Sequence, residues 1–162
     1  MGWLDYHLFE FTIGGRKYGL PADEDWGAEP RLEAGKVRLR DVLTPRRTVI
    51  DYLYDFGDSW EHRLTVAEVR AGQPGVSYPR YVGDERNAPP EDCGGIPGFY
   101  SMLDVLADPH HPDHPHIKEW LDDYDPDVID LLPIECALSR IARRRKAAKS
   151  RVARNRKDTT TS

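Results

Sequence analysis

Polar and apolar positions alternate through "HLFEFTI": His7, Phe9, Phe11 and Ile13 share one face, and Leu8, Glu10 and Thr12 the other. A period of two residues predicts a strand. Gly14-Gly15 and then "RKYGL" follow, which reads as a hairpin closed by a two-residue turn. The same period is clearest in "TVIDYLYDF" (48–56), with Ile50, Tyr52, Tyr54 and Phe56 on one side and Val49, Asp51, Leu53 and Asp55 on the other. "HRLTVAEVR" (62–70) returns, with His62, Leu64 and Val66 on one face. Two segments read as further strands. One is "VRLRDVL" (37–43), short or leading into a turn. The other is "VSYPRYVGDE" (76–85), placed at a sheet edge because Pro79 has no N–H for a ladder. Residues 21–36 are a polar loop with two prolines, which Trp26 would pin to the body.

The period lengthens in the second half. Phe99, Met102, Leu103 and Leu106 stand at i, i+3, i+4 and i+7, one helical stripe ended by Pro109. "PHIKEWLDDY" predicts a short helix with Ile117, Trp120 and Leu121 inward and Asp113 or His114 as its cap. Asp125-Pro126 is read as an N-cap with a first-turn proline, opening a helical stretch that Pro133 restarts. Ile134, Leu138 and Ile141 make its last apolar stripe, and "DTTTS" reads as disordered. Strands followed by helices give an α+β fold, an antiparallel sheet from the N-terminal half packed by helices from the C-terminal half. The expected organisation is one domain over residues 1–138 and a basic helical, then disordered, tail over 139–162.

Composition refines this picture. The 162 residues are 39% hydrophobic and 31% charged, and no apolar run approaches the ~18 residues of a membrane span. The N-terminus has no basic then apolar segment of a secretory signal. Cys93 and Cys136 stand far apart, so no disulfide framework is expected and a reducing cytoplasm is the natural home. The net charge of −5 hides an asymmetry: residues 139–162 hold ten Lys/Arg and one acid, and the remainder 13 basic and 27 acidic groups. Nucleic-acid contact would therefore run through the tail, by Arg143, Arg144, Arg145, Lys146, Lys149, Arg151 and Arg154, without base specificity.

Four stretches carry residues with chemistry. In "YDFGDSWEH" (54–62), Gly57, Asp58 and Ser59 suit a turn, and the structural reading outweighs the functional one. The functional reading is a carboxylate–imidazole cluster in which His62 works with Asp55 or Glu61 beside Trp60. "PPEDCGGIPG" (89–98) sets Gly94 and Gly95 before a helix start, where backbone N–H groups can face an anion. Cys93 there would have a lowered pKa, which allows a nucleophile activated by His62, but a buried inert thiol is the better reading. "DPHHPDHPH" (108–116) holds His110, His111, His114 and His116, yet its prolines leave no common helix face for ligands. No physiological metal and no cofactor is expected. The basic tail has no interleaved aromatic residue, so single-strand stacking is not suggested.

"YDFGDSWEHRLTV" and "YPRYVGDERNAPPEDCGGIPGFYSMLDVLADPHHPDH" together closely resemble the plasmid pRiA4b ORF-three-like family, also labelled insertion-element passenger resolvase-like proteins. "GWLDYHLFEFTIGGRKYG" extends the resemblance to about residues 2–132. The resemblance implies an α+β fold, a link to mobile elements and little about activity. Its members usually begin with a further strand–strand–helix segment ending near Gly2-Trp3, which implies a chain truncated at its start and a sheet edge left open for a second chain. Recombinase catalysis is not supported, because it needs a Ser or Tyr nucleophile among arginines and this body is acidic. The sequence therefore reads as a non-catalytic binding or accessory module. Asp55, Asp58, Trp60 and His62 would meet Glu91, Asp92, Cys93, Gly94 and Gly95 at one surface or pocket, and a protein partner is possible. The alternative is a hydrolytic or metal-assisted enzyme using His62 with those carboxylates. Antiparallel pairing of 48–56 with 62–70, and loop 89–95 packed near Trp60, are what a single site requires.

Overall fold

Gly14 and Gly15 both take positive φ, 56° and 77°. That is what a two-residue hairpin turn of the right twist demands, and β1 (Phe9–Ile13) folds back on β2 (Arg16–Gly19) with Phe11 opposite Tyr18. The computed structural model describes residues 3–21, 31–45, 47–122 and 124–159, with 152–159 as helical backbone alone. Trp26, Gly2, Thr160 to Ser162 and the side chain of Arg154 lie outside the described residues. A two-residue strand, β3 (Leu32–Glu33), pairs in parallel with β2. β1 offers its other edge to β4 (Val49–Tyr54), which pairs with β5 (Trp60–Thr65). The sheet is five-stranded, in the order β3-β2-β1-β4-β5. All its pairings are antiparallel except β2 with β3, so it is mixed.

The registers place Phe9, Phe11, Tyr18, Ile50, Tyr52, Tyr54, Trp60 and His62 on one face. Tyr54 is 1% exposed, Tyr18 5%, Trp60 7% and Ile50 8%, so this alternation is the core signal the sequence carries. Phe11 stacks on Tyr52 with ring centroids 4.7 Å apart. On the opposite face Glu10 is buried too, which its partners explain: Arg31 Nε donates to it at 2.6 Å and Lys17 Nζ stands 3.5 Å away.

Two of the expected strands are absent. After a 3-10 turn (Ala34–Lys36), residues 37–43 make the single-turn helix α1 (Leu39–Val42) instead. Asp41 N–H donates to Arg38 O and Leu43 N–H to Leu39 O, so its polar backbone is satisfied locally and needs no neighbouring strand. In 76–85 the alternation met no core: Val82 is 97% exposed, and no described residue of the segment joins the sheet. β5 starts at Trp60 and ends at Thr65, earlier than the 62–70 expected from its pattern.

α2 (Gly95–Ala107) buries Met102 and half-buries Phe99, Leu103 and Leu106, the stripe read from the sequence. α3 (His114–Leu121) follows with Asp113 at its N-cap and Leu121 buried, although Trp120 stays largely exposed. α4 (Leu131–Thr159) begins six residues after Asp125, not at it. Asp125 instead closes a turn through Asp127 N–H, and Asp130 Oδ1 accepts Leu132 N–H at the true start, which puts Pro133 in the first turn. Asp158 and Thr159 belong to α4, against the expected disorder. The chain divides into two compact units. One holds Leu4–Arg70 and Pro89–Asp123, which includes the sheet, α1, α2 and α3; the other holds Met1–Trp3, Ala71–Ala88 and Tyr124–Ser162, which includes α4. Within the second, Asn87 N–H donates to Pro126 O and Arg86 pairs with Asp127 at 2.9 Å. No helix among the described residues is long and apolar enough to cross a membrane.

Candidate functional site

The site grows out of the end of β4. Asp55 N–H donates to Leu8 O at 2.9 Å, carrying the β1–β4 ladder one residue past Tyr54 and drawing His7 alongside Asp55. Asp55 then turns left-handed, with φ 54°. Its own side chain supports that conformation: Gly57 N–H donates to Asp55 Oδ1 at 2.9 Å, while Asp55 O accepts Ser59 N–H at 2.7 Å. Its second oxygen, Oδ2, stands 3.6 Å from His7 Nδ1.

The second motif arrives on the other side of the same imidazole. Asp92 Oδ1 lies 3.2 Å and Glu91 Oε2 3.7 Å from His7 Nε2. Glu91 is fixed by two donors on Oε1, Leu4 N–H at 2.8 Å and Tyr54 O–H at 3.1 Å. Burial first, and then the bond to Glu91, push the Tyr54 hydroxyl up to about 12. Two residues on, Gly94 N–H donates to Asp58 Oδ2 at 3.1 Å, and Gly95 (φ +65°) presses against the Asp58 backbone so closely that a Cβ there would meet Asp58 O at 2.4 Å. The two motifs are thus one junction, which brings together Asp55, Asp58, Glu91, Asp92, Gly94 and Gly95, and all of it lies within one compact unit.

The imidazole of this junction is His7, not His62. His62 sits on β5 opposite Tyr52, its ring 5.4 Å from that of Tyr52, and with Asp51 and Glu61 it lines a separate groove on the sheet. Trp60, opposite Tyr54, is buried core. The signal for His7 was its position on the alternating face two residues ahead of Phe9; what turned that into a site was the pairing of β1 with β4, which no local pattern states.

Cys93 lies half-buried just before α2, with Sγ 4.0 Å from Gly95 O. Burial, followed by the charges of Asp58 and Asp92, pushes its thiol up to about 11 and outweighs the helix start that would lower it. We therefore expect a maleimide at pH 7.5 to label exposed Cys136 first and Cys93 on the order of a hundredfold more slowly. Equal labelling rates would show an open, activated Cys93. The histidines of 110–116 gather no group of three ligands among the described residues; His111 and Asp113 face each other at 3.9 Å. On α4, Arg143, Arg144, Arg145, Lys146, Lys149 and Arg151 are all exposed. Ile134 and Leu138 are half-buried, and Ile141, expected to continue their stripe, is 45% exposed.

The family model described as plasmid pRiA4b ORF-3-like protein matches residues 1–132. The uncharacterized protein y4hQ of Sinorhizobium fredii (strain NBRC 101917 / NGR234) is 38% identical over 128 residues. That match takes in 77% of this chain and spans 64% of the relative's length. Among solved structures, the protein of unknown function MM3350 from Methanosarcina mazei Go1 superposes with a TM-score of 0.70 at 36% identity, covering 80% of this chain and 74% of the other.

Proposed function

We propose, for a chain that belongs to the plasmid pRiA4b ORF-3-like protein family, the role of a cytoplasmic binding or accessory module that engages nucleic-acid backbones through α4. The observation that carries this reading is the continuity of α4 from Leu131 to Thr159 through ten Lys/Arg and no acid between positions 140 and 157. Like charges at helical spacing repel, and no carboxylate on that stretch offsets them. A polyanion with charges every few ångströms is the partner that turns this liability into affinity. The helix is about 43 Å long at 1.5 Å per residue, long enough to follow a backbone through several phosphates. The junction of the two motifs is the module's second surface, and an association with mobile elements belongs to the same reading.

Fluorescence anisotropy of the full chain with random-sequence duplex tests it. If six exposed cations reach phosphates, affinity falls on the order of a thousandfold between about 50 and 200 mM salt, and removal of residues 139–162 abolishes binding. No binding at about 50 mM salt, where phosphate contacts are strongest, overturns the reading and leaves α4 to an acidic protein surface.

A further inference from the structure

We propose that His7, Asp55 and Asp92 bind one divalent transition-metal ion, with Glu91 as its neighbouring carboxylate. The three residues each offer one ligand atom, and these atoms lie within 4.8 Å of one another. Ligand atoms about 2.1 Å from a shared tetrahedral ion sit about 3.4 Å apart, so a shift of up to about 1.4 Å seats the ion. Asp92 can supply that shift, because its side chain is 64% exposed. The remaining groups are already held. Asp55 is fixed by Gly57 N–H, and Glu91 by Leu4 N–H and the Tyr54 hydroxyl.

The imidazole supplies an independent observation. His7 Nε2 is closed off from solvent, aims at Asp92 and Glu91, and makes no aligned hydrogen bond among the described residues. A buried polar nitrogen left in that state costs stability unless something binds it. Three carboxylates around one imidazole also concentrate negative charge that a dication offsets. One nitrogen with carboxylate oxygens and no thiolate selects Mn²⁺ or Zn²⁺ over Mg²⁺, Ca²⁺ or Cu(I).

The inference is independent of the nucleic-acid reading. It is tested by stripping the full chain with a chelator and titrating Mn²⁺, followed by its electron spin resonance, and then Zn²⁺ by calorimetry. One equivalent should bind. Asp92→Asn should lower affinity at least about tenfold while leaving the unfolding midpoint of the metal-free chain unchanged, since that side chain is exposed. His7→Gln should abolish Mn²⁺ binding, and replacing His110, His111, His114 and His116 together should leave it intact. Absence of binding at millimolar ion, wild-type affinity in Asp92→Asn and His7→Gln, or loss of Mn²⁺ binding when the four distal histidines are replaced each overturns the proposal.

Discussion

Alanine at Gly95 is expected to cost this chain about 3 kcal/mol or more, enough to leave a marginal domain largely unfolded. Two terms add. The residue holds φ +65°, a left-handed conformation that costs an L-residue roughly 1–2 kcal/mol. The new Cβ would also meet Asp58 O at 2.4 Å, and a carbonyl in the backbone of a tight turn cannot rotate aside as a flexible side chain would. Gly14 is the internal control. It also has positive φ, 56°, but nothing stands within 4 Å of its Cβ position, so Gly14→Ala should show only the conformational term. Urea denaturation of both variants measures the difference. Equal losses would mean that the close approach of 94–95 to 58 is dispensable. If the losses differ as expected, a partly folded Gly95→Ala chain should also bind Mn²⁺ more weakly, because the contact it disrupts holds Asp92 against His7.

What the sequence made legible follows from which forces are local. Period-two alternation announced β1, β4 and their shared face because half-buried strands must alternate, and Gly14-Gly15 announced the hairpin because only glycine takes that turn without strain. The stripe of α2 was legible for the same reason at a period of 3.6. β3 was not, since two residues cannot display a period. The segment 76–85 alternates with no sheet to receive it, which shows that a pattern licenses a strand without supplying its partner. His62 drew attention because it is seven residues from Asp55 in sequence, whereas the imidazole that reaches Asp55 comes from His7, delivered by a ladder bond between residues 8 and 55. That the two motifs meet was a matter of residue density; which atoms meet was a matter of register, and register is set by pairing across the chain.

The bond between Tyr54 and Glu91 should be visible as an alkaline loss of stability. Tyr54 is the most buried large side chain among the described residues, at 1% exposure, and its hydroxyl is raised from an ordinary value near 10 to about 12. The folded chain therefore keeps a proton that the unfolded chain gives up between pH 10 and 12. The stabilisation is fully present below pH 10 and is lost as pH rises through about 12, an effect on the order of 2–3 kcal/mol. Tyr54→Phe removes the titration and also a donor to Glu91, costing about 1–3 kcal/mol at neutral pH. Urea unfolding of both chains at pH 9, 10, 11 and 12 should show wild type ahead at pH 9 and the gap closing by pH 12. Glu91→Gln separates the causes. Burial ranks ahead of the bond to Glu91 in raising the hydroxyl, so this variant should keep most of the alkaline dependence while losing the charge that faces His7. A gap between wild type and Tyr54→Phe that stays constant from pH 9 to 12 would mean that the hydroxyl is open to solvent, and that Glu91 is positioned by Leu4 alone.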